Sequence, residues 1–353
     1  MNFLHLPEQD MLRASVAGTF LRGNADVVSA LAGLGAFGLL VSPERGGSGL
    51  GIVEATIVLQ EAGRAGAGGS LAETLLLADA LIRATPDRAM DVLEGSLALQ
   101  APVSGHLRQT GARLRGDLTL AGPDREAWIS APVHGGSQIA LIPVADLEPA
   151  ARARIEATTE ACRIEVDVAK ADSLIVSIDA FPERLAILRC AELLGAAERC
   201  LALSIDYLKD RRQFGQPIGT NQALKHIAAD TYLQLENIRV AVEYAAAARD
   251  AADADLADGL RGSDANSAVE VMLSYVPRAA REIAETSIHL HGGIGLTWEY
   301  GLNAYLRRIV RLGMGLGAPS THQLAVFARF AQSPQTAGPS PLARREVFHA
   351  DAL

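Results

Sequence analysis

The chain has 353 residues, 49% of them hydrophobic and 21% charged, so it can bury a large core in more than one structural unit and has the composition of a globular protein. Its net charge of -9 argues against general nucleic-acid binding, because tracking phosphates needs a basic excess. Three cysteines, Cys162, Cys190 and Cys200, are odd in number and lack metal-ligand spacing, which speaks against a disulfide framework and a zinc site and for a reduced, cytoplasmic setting.

The opening MNFLHLPEQD has no basic segment followed by an apolar run, so no secretion signal is expected. No stretch reaches the roughly 20 apolar residues of a membrane span. Residues 1–96 are expected to be helical. Val27, Leu31, Leu34 and Phe37 keep helical spacing until Ser42–Gly51, where one proline and four glycines interrupt it. That interruption is either a flexible connector or a compact loop touching a ligand or another domain. A second helix from Ile52 is expected to break at the glycine-rich GRAGAGGS, Gly63–Ser70.

The period then changes from helical to two. Leu114, Leu118 and Leu120 alternate with Arg113, Arg115 and Thr119, and Ile164, Val166 and Val168 alternate with Arg163, Glu165 and Asp167, as in half-buried strands. Two compact apolar runs, 127–133 and 138–144, flank an HGGS turn and read as a hairpin. Residues 97–179 are thus a small β domain.

Helix returns at about Pro182 and continues nearly to Phe330. Leu194, Leu201, Ile205 and Leu208 hold one face before a turn, and Leu224, Ile227, Thr231, Leu235, Ile238 and Val242 hold one after it. Between them Gly215, Pro217 and Gly219 force a loop carrying Arg211, Arg212, Gln213 and Phe214, a set suited to an anionic, planar ligand. Val269, Met272, Val276, Ala280, Ile283, Ser287 and Leu290 form a bundle seam, ended by Gly292, Gly293 and Gly295. Those glycines let backbone amides approach a ligand, and amides at a helix end favour anions. The segment 333–353 is expected to be an extension or a strap on a partner subunit. No GxGxxG follows a strand, so a Rossmann site is disfavoured.

Three stretches, LGAFGLLVSPERGGSGLG (34–51), RRQFGQPIGTNQALKHIAAD (211–230) and HLHGGIGLTWEYGLNAYLRR (289–308), resemble motifs of the acyl-CoA dehydrogenase family in the same order. The resemblance implies an α+β multidomain fold: an N-terminal helical domain (1–96), a small middle β-barrel (97–179) and a C-terminal four-helix bundle (180–332), followed by the tail (333–353). It implies FAD, with Arg211 on the pyrophosphate, Gln213 and Phe214 flanking the cofactor across a subunit boundary, and Gln222 near the adenine end. His289, Gly292 and Gly293 would reach the adenosine and pyrophosphate part of a neighbour's FAD. Lys225 and His226 match the motif and read as structural. It further implies an acyl-CoA thioester substrate, an electron-transfer flavoprotein as acceptor, and a homotetramer or a heterotetramer with a second dehydrogenase subunit.

The reaction of the family removes a proton α to the thioester carbonyl while the β hydrogen leaves as hydride, so a carboxylate base is needed. Counting from Gly292 without a gap places the usual glutamate at Leu316, and the other known placement falls at Leu185. Glu183, two residues away, is the candidate base; the competing reading makes it a helix-start acid favoured by the dipole. The Thr-Glu and Gly-Ser-Asp segments usual in the middle domain are missing. Two readings follow: a dehydrogenase subunit, alone or completing the FAD sites of a heteromer, and a catalytically inactive structural subunit of the same fold.

Overall fold

The computed structural model describes residues 6–21, 27–67, 70–84, 86–96, 99–100, 104–111, 113–120, 128–133, 138–143, 153–156, 159–167, 174–254 and 262–331. Val168, the HGGS turn and the tail, to which the sequence assigned roles, lie outside them.

The helical first part comprises α1 (Pro7–Leu21), α2 (Val27–Gly33), α3 (Ile52–Ala65), α4 (Leu71–Ala84) and α5 (Ala89–Leu93). Ser42–Gly51 is the compact alternative. Pro43–Arg45 makes a single 3-10 turn, Arg45 pairs with Asp79 at 2.8 Å, and a Cβ on Gly47 would lie 2.2 Å from the Val41 carbonyl oxygen. Helix α3 begins where the loop meets the bundle. Its first backbone N–H groups, on Ile52 and Val53, donate to Asp250 Oδ1 and Oδ2 at 2.7 and 2.9 Å. A carboxylate nearly 200 residues away thus caps the helix, and Gly51 has no Cβ because one would sit 2.4 Å from that carboxylate. Asp250→Ala should lower stability by about 1–2 kcal/mol in urea denaturation; a midpoint equal to wild type would deny the cap any weight.

The helix from Ile52 breaks within the expected stretch Gly63–Ser70: α3 runs through Gly63 to Ala65 and ends at Gly66, which takes the left-handed conformation (φ 68°) that suits glycine. Gly63 serves packing instead: a Cβ there would stand 2.1 Å from the Glu192 carbonyl oxygen of α6 (Phe181–Asp210). Gly195 on α6 approaches the Gln60 carbonyl oxygen in the same way, at 1.8 Å. Two backbones touch, so the first and last parts of the chain share one core. Around this crossing the buried Glu198 accepts from Gln60, Arg64 and Arg239 at 2.8, 2.5 and 2.5 Å.

The middle part forms two sheets. Strands β1 (Leu99–Gln100), β5 (Trp128–Pro132), β6 (Gln138–Pro143) and β9 (Leu174–Ser177) lie in the order β1-β5-β6-β9. The second sheet orders β2 (Ser104–Gly105), β4 (Arg113–Leu120), β8 (Thr159–Asp167) and β7 (Ala153–Glu156), with β3 (Arg108–Thr110) also on β4. The expected hairpin pairing of β5 with β6 is there, and β4 pairs with β8, both antiparallel. Alternation puts Leu114 and Leu118 inside and Arg113, Arg115 and Asp117 outside. The two sheets close on one core, where Leu107, Leu114 and Leu118 meet Ile129, Ala131 and Ile142, and a single bridge, Leu107–Val133, links them.

The last part packs α6, α7 (Gln222–Asp253) and α8 (Gly262–His291) side by side, with α9 (Leu302–Met314) and α10 (Pro319–Ala331) against α8. Every member of the predicted α8 seam is buried. Cys190 and Cys200 are free and buried; burial pushes both thiols up, Cys200 to about 12, which leaves them protonated and unreactive.

Candidate functional site

A cavity of about 500 Å³ opens where the three parts meet. Its walls come from α4 (Glu73), β5 (Ser130), the first two turns of α6 (Glu183, Arg189), α8 (Glu270), the loop after α9 (Leu316) and α10 (His322). Pro182 starts α6 with its fixed φ, so Glu183 falls in the first turn and faces the cavity. Ala180, just before, has φ 50°, costly for a residue with a Cβ and a mark of a functionally constrained backbone.

The charged groups on this wall are arranged in pairs. Glu73 is tied to Arg189 at 2.6 Å. Glu270 Oε2 lies 2.6 Å from His322 Nδ1, and His322 Nε2 lies 2.8 Å from the Leu316 carbonyl oxygen. A carbonyl only accepts, so Nε2 carries a proton. Nδ1 faces Oε2 at hydrogen-bond distance, so His322 bridges the Leu316 backbone and Glu270. Leu316, where the sequence comparison missed a carboxylate, is buried at 8% exposure on this same wall.

The second constellation stands at the far end of α6. Arg212–Gln213 and Gln216–Pro217 pair as a two-residue hairpin (β10 and β11), with Phe214 (φ 52°) and Gly215 (φ 80°) at its tip. Phe214 is 100% exposed, and Arg211 and Gln213 are exposed beside it. The ring is thus held outward on a backbone conformation that is uncommon for a residue with a Cβ. The glycine loop adjoins the hairpin: Tyr207 stacks on His291 with ring centroids 4.4 Å apart, and Tyr300 closes the group at 4.6 Å from His291. His289, Gly292 and Gly293 are exposed, and both glycines have open space where a Cβ would be. Gln222 is the exposed first residue of α7, beside Asn221, whose side chain accepts from the Ala223 N–H at 3.0 Å.

These positions fit a dinucleotide pyrophosphate, offering a guanidinium and unobstructed backbone. The dipole argument for the glycine loop fails, however. Gly292 follows the C-terminus of α8, where the free backbone groups are carbonyls, so anion binding there rests on Arg211 and on the 3-10 turn Gly292–Leu296. Among the described residues no cluster of three or more His, Cys, Asp and Glu side chains could hold a metal.

Sequence reasoning named Glu183 as candidate base and Arg211, Gln213, Phe214, His289, Gly292 and Gly293 as cofactor residues; the structure puts Glu183 on the cavity wall and the others at the far end of α6. Glu270 and His322 escaped sequence reasoning. Glu270 is one polar residue beside Val269 in the seam, and His322 lies 52 residues further on; no local pattern links them. The two constellations are about 40 Å apart along α6 at ~1.5 Å per residue.

The sequence pattern described as "Acyl-CoA dehydrogenase, C-terminal domain" matches residues 182–331, and "Acyl-CoA dehydrogenase, N-terminal domain" matches residues 7–88. The chain is 32% identical to acyl-CoA dehydrogenase IpdE2 of Mycobacterium tuberculosis, over 85% of this chain and 90% of that protein. Among solved structures, the ChsE4-ChsE5 complex from Mycobacterium tuberculosis has a chain superimposing with TM-score 0.74 at 20% identity, over 95% of this chain and 100% of that one. PigA with FAD and proline superimposes with TM-score 0.74 at 17% identity, over 94% and 99%. Both likenesses show the fold.

Proposed function

The chain belongs to the acyl-CoA dehydrogenase family, and on that premise we propose that it binds FAD and serves the α,β-dehydrogenation of a bulky acyl-CoA thioester within a tetramer. The observation that carries this is the cavity at the junction of α4, β5, α6 and α8, whose volume of about 500 Å³ suits a ligand well beyond a short acyl chain. FAD, when bound, accepts the hydride.

Arg211 binds the pyrophosphate, with Gln213 and Phe214 beside the cofactor and Gln222 near its adenine end; His289, Gly292 and Gly293 line the neighbouring face. Because about 40 Å of helix separates Arg211 from the cavity of the same chain, one extended dinucleotide does not reach both. The hairpin therefore serves a second subunit's site, and an assembly is required. A heteromer is the reading we favour, in keeping with the ChsE4-ChsE5 complex among the structural relatives. An electron-transfer flavoprotein is the proposed acceptor. Among the described residues no helix is long and apolar enough to cross a membrane, and we place the protein in the cytoplasm.

A second reading, a subunit that completes a partner's flavin site without turning over substrate itself, is favoured by the apolar Leu316. The test is an absorbance spectrum of the protein purified alone and with its co-expressed partner. Flavin bands that bleach anaerobically with acyl-CoA are expected; colourless protein in both preparations would end the flavoprotein reading. Arg211→Ala should weaken FAD binding by about 1.5–3 kcal/mol, roughly tenfold to a hundredfold, measured by flavin release on dilution. Retention equal to wild type would remove Arg211 from the site.

A further inference from the structure

We propose that Glu270, oriented by His322, is the carboxylate that takes the α proton of the substrate in this chain's cavity. The inference rests on the dehydrogenase reading above and names the group the sequence lacked at Leu316.

Three carboxylates line the cavity, and their surroundings separate them. Glu73 is 5% exposed and held by Arg189 at 2.6 Å, so it offers little accessible carboxylate to a ligand. Glu183 sits in the first turn of α6, and among the described residues no hydrogen bond or ion pair fixes its orientation. Glu270 is 26% exposed at the side chain, on the cavity wall, with only Oε2 engaged. Among the described residues Oε1 has no hydrogen-bond partner and is left for a ligand.

Its orientation is fixed through a short chain of contacts. The Leu316 carbonyl holds His322 Nε2–H at 2.8 Å, and His322 Nδ1 holds Glu270 Oε2 at 2.6 Å. The backbone of Leu316 thereby positions a carboxylate on α8 in place of one that its own side chain would have carried. The His322 contact uses Oε2 alone, so Oε1 accepts a proton without His322 leaving its place. In the reaction the α C–H proton passes to Oε1 and the electron pair of that bond becomes the Cα–Cβ π bond. FAD, if bound, would take the β hydrogen with its two electrons, so that the two-electron oxidation of the thioester would be balanced by two-electron reduction of the cofactor.

The test separates proton removal from turnover. The flavin-loaded assembly is incubated in D2O with a 3-thia-acyl-CoA, which has α hydrogens but sulfur at the β position, and α-deuterium is read by mass spectrometry. Wild type should exchange. Glu270→Gln should slow exchange about 10²- to 10⁴-fold while flavin content and binding of the thia ligand stay within a few fold. Glu285→Gln, on an exposed stretch of α8 paired with Arg281, should exchange like wild type. His322→Gln, which keeps a donor toward Oε2, should exchange faster than His322→Ala, as a positioning role demands. Exchange at the wild-type rate in Glu270→Gln, or a loss confined to Glu183→Gln, would overturn the assignment and leave the dehydrogenase reading intact. A flavin-loaded wild type that neither exchanges nor bleaches would overturn both.

Discussion

Gly195→Val should lose roughly 3 kcal/mol or more of stability, at the upper end of what overpacking costs, and lower the melting temperature by about 4 °C or more for a chain of this size. The reason is backbone against backbone. A Cβ at Gly195 would lie 1.8 Å from the Gln60 carbonyl oxygen and 2.8 Å from the Arg64 nitrogen, and neither can move without shifting α3. The reciprocal position, Gly63, faces the Glu192 carbonyl oxygen at 2.1 Å. Separating the helices would also disturb Glu198, which holds Arg64 of α3 and Arg239 of α7 together. Gly33→Ala is the control, because a Cβ there meets nothing within 4 Å and should change stability by less than ~0.5 kcal/mol. Thermal unfolding followed by circular dichroism decides it: a Gly195→Val midpoint within 2 °C or so of wild type would show that the two helices have room.

Arg308→Met should destabilise the fold by about 3–5 kcal/mol at neutral pH, the usual effect of removing one partner from a buried ion pair. Arg308 on α9 donates to Glu192 on α6, and both side chains are largely buried. Burial pushes the Glu192 carboxyl up and Arg308 holds it back. Without Arg308 only the burial remains, so the carboxyl rises further and an uncompensated anion is left inside the core. A folded-state value raised above the unfolded one, about 4.3 for Glu, gives stability that is complete below the unfolded value and lost as pH rises through the folded one. The deficit of the variant should therefore be greatest near neutrality and shrink toward pH 4 or so. Glu192→Leu combined with Arg308→Met should recover most of the loss, since apolar replacement of a whole buried pair is often neutral. Urea denaturation of both variants at two pH values checks this, and a single variant within ~1 kcal/mol of wild type would mean that water reaches the pair.

Much of the architecture was legible in local patterns. The two-residue period predicted β4 and β8, and helical spacing predicted α7 and the α8 seam, because burying one face of an element leaves its period in the sequence. Breakers at Gly215 and Pro217 located the hairpin. The glycine-rich stretch Gly63–Ser70 located the end of α3, but not which glycine ends it: glycine breaks helices in water, yet inside a core Gly63 admits a neighbouring backbone, and the sequence does not distinguish the two. Gly195, in the middle of α6, carried no signal at all.

By itself the sequence determined the order of elements, the family resemblance, the cationic loop carrying Phe214, and the apolar residue at Leu316. These are properties of short stretches, set by periodicity, turn chemistry and motif. The tertiary structure decided the rest. It put Asp250 on the N-terminus of α3, set the hairpin about 40 Å along α6 from the cavity, and brought His322 to Glu270 across 52 residues. Each of these depends on how helices pack against one another, and a side chain's partner across such a distance leaves no period in the chain that folds to make it.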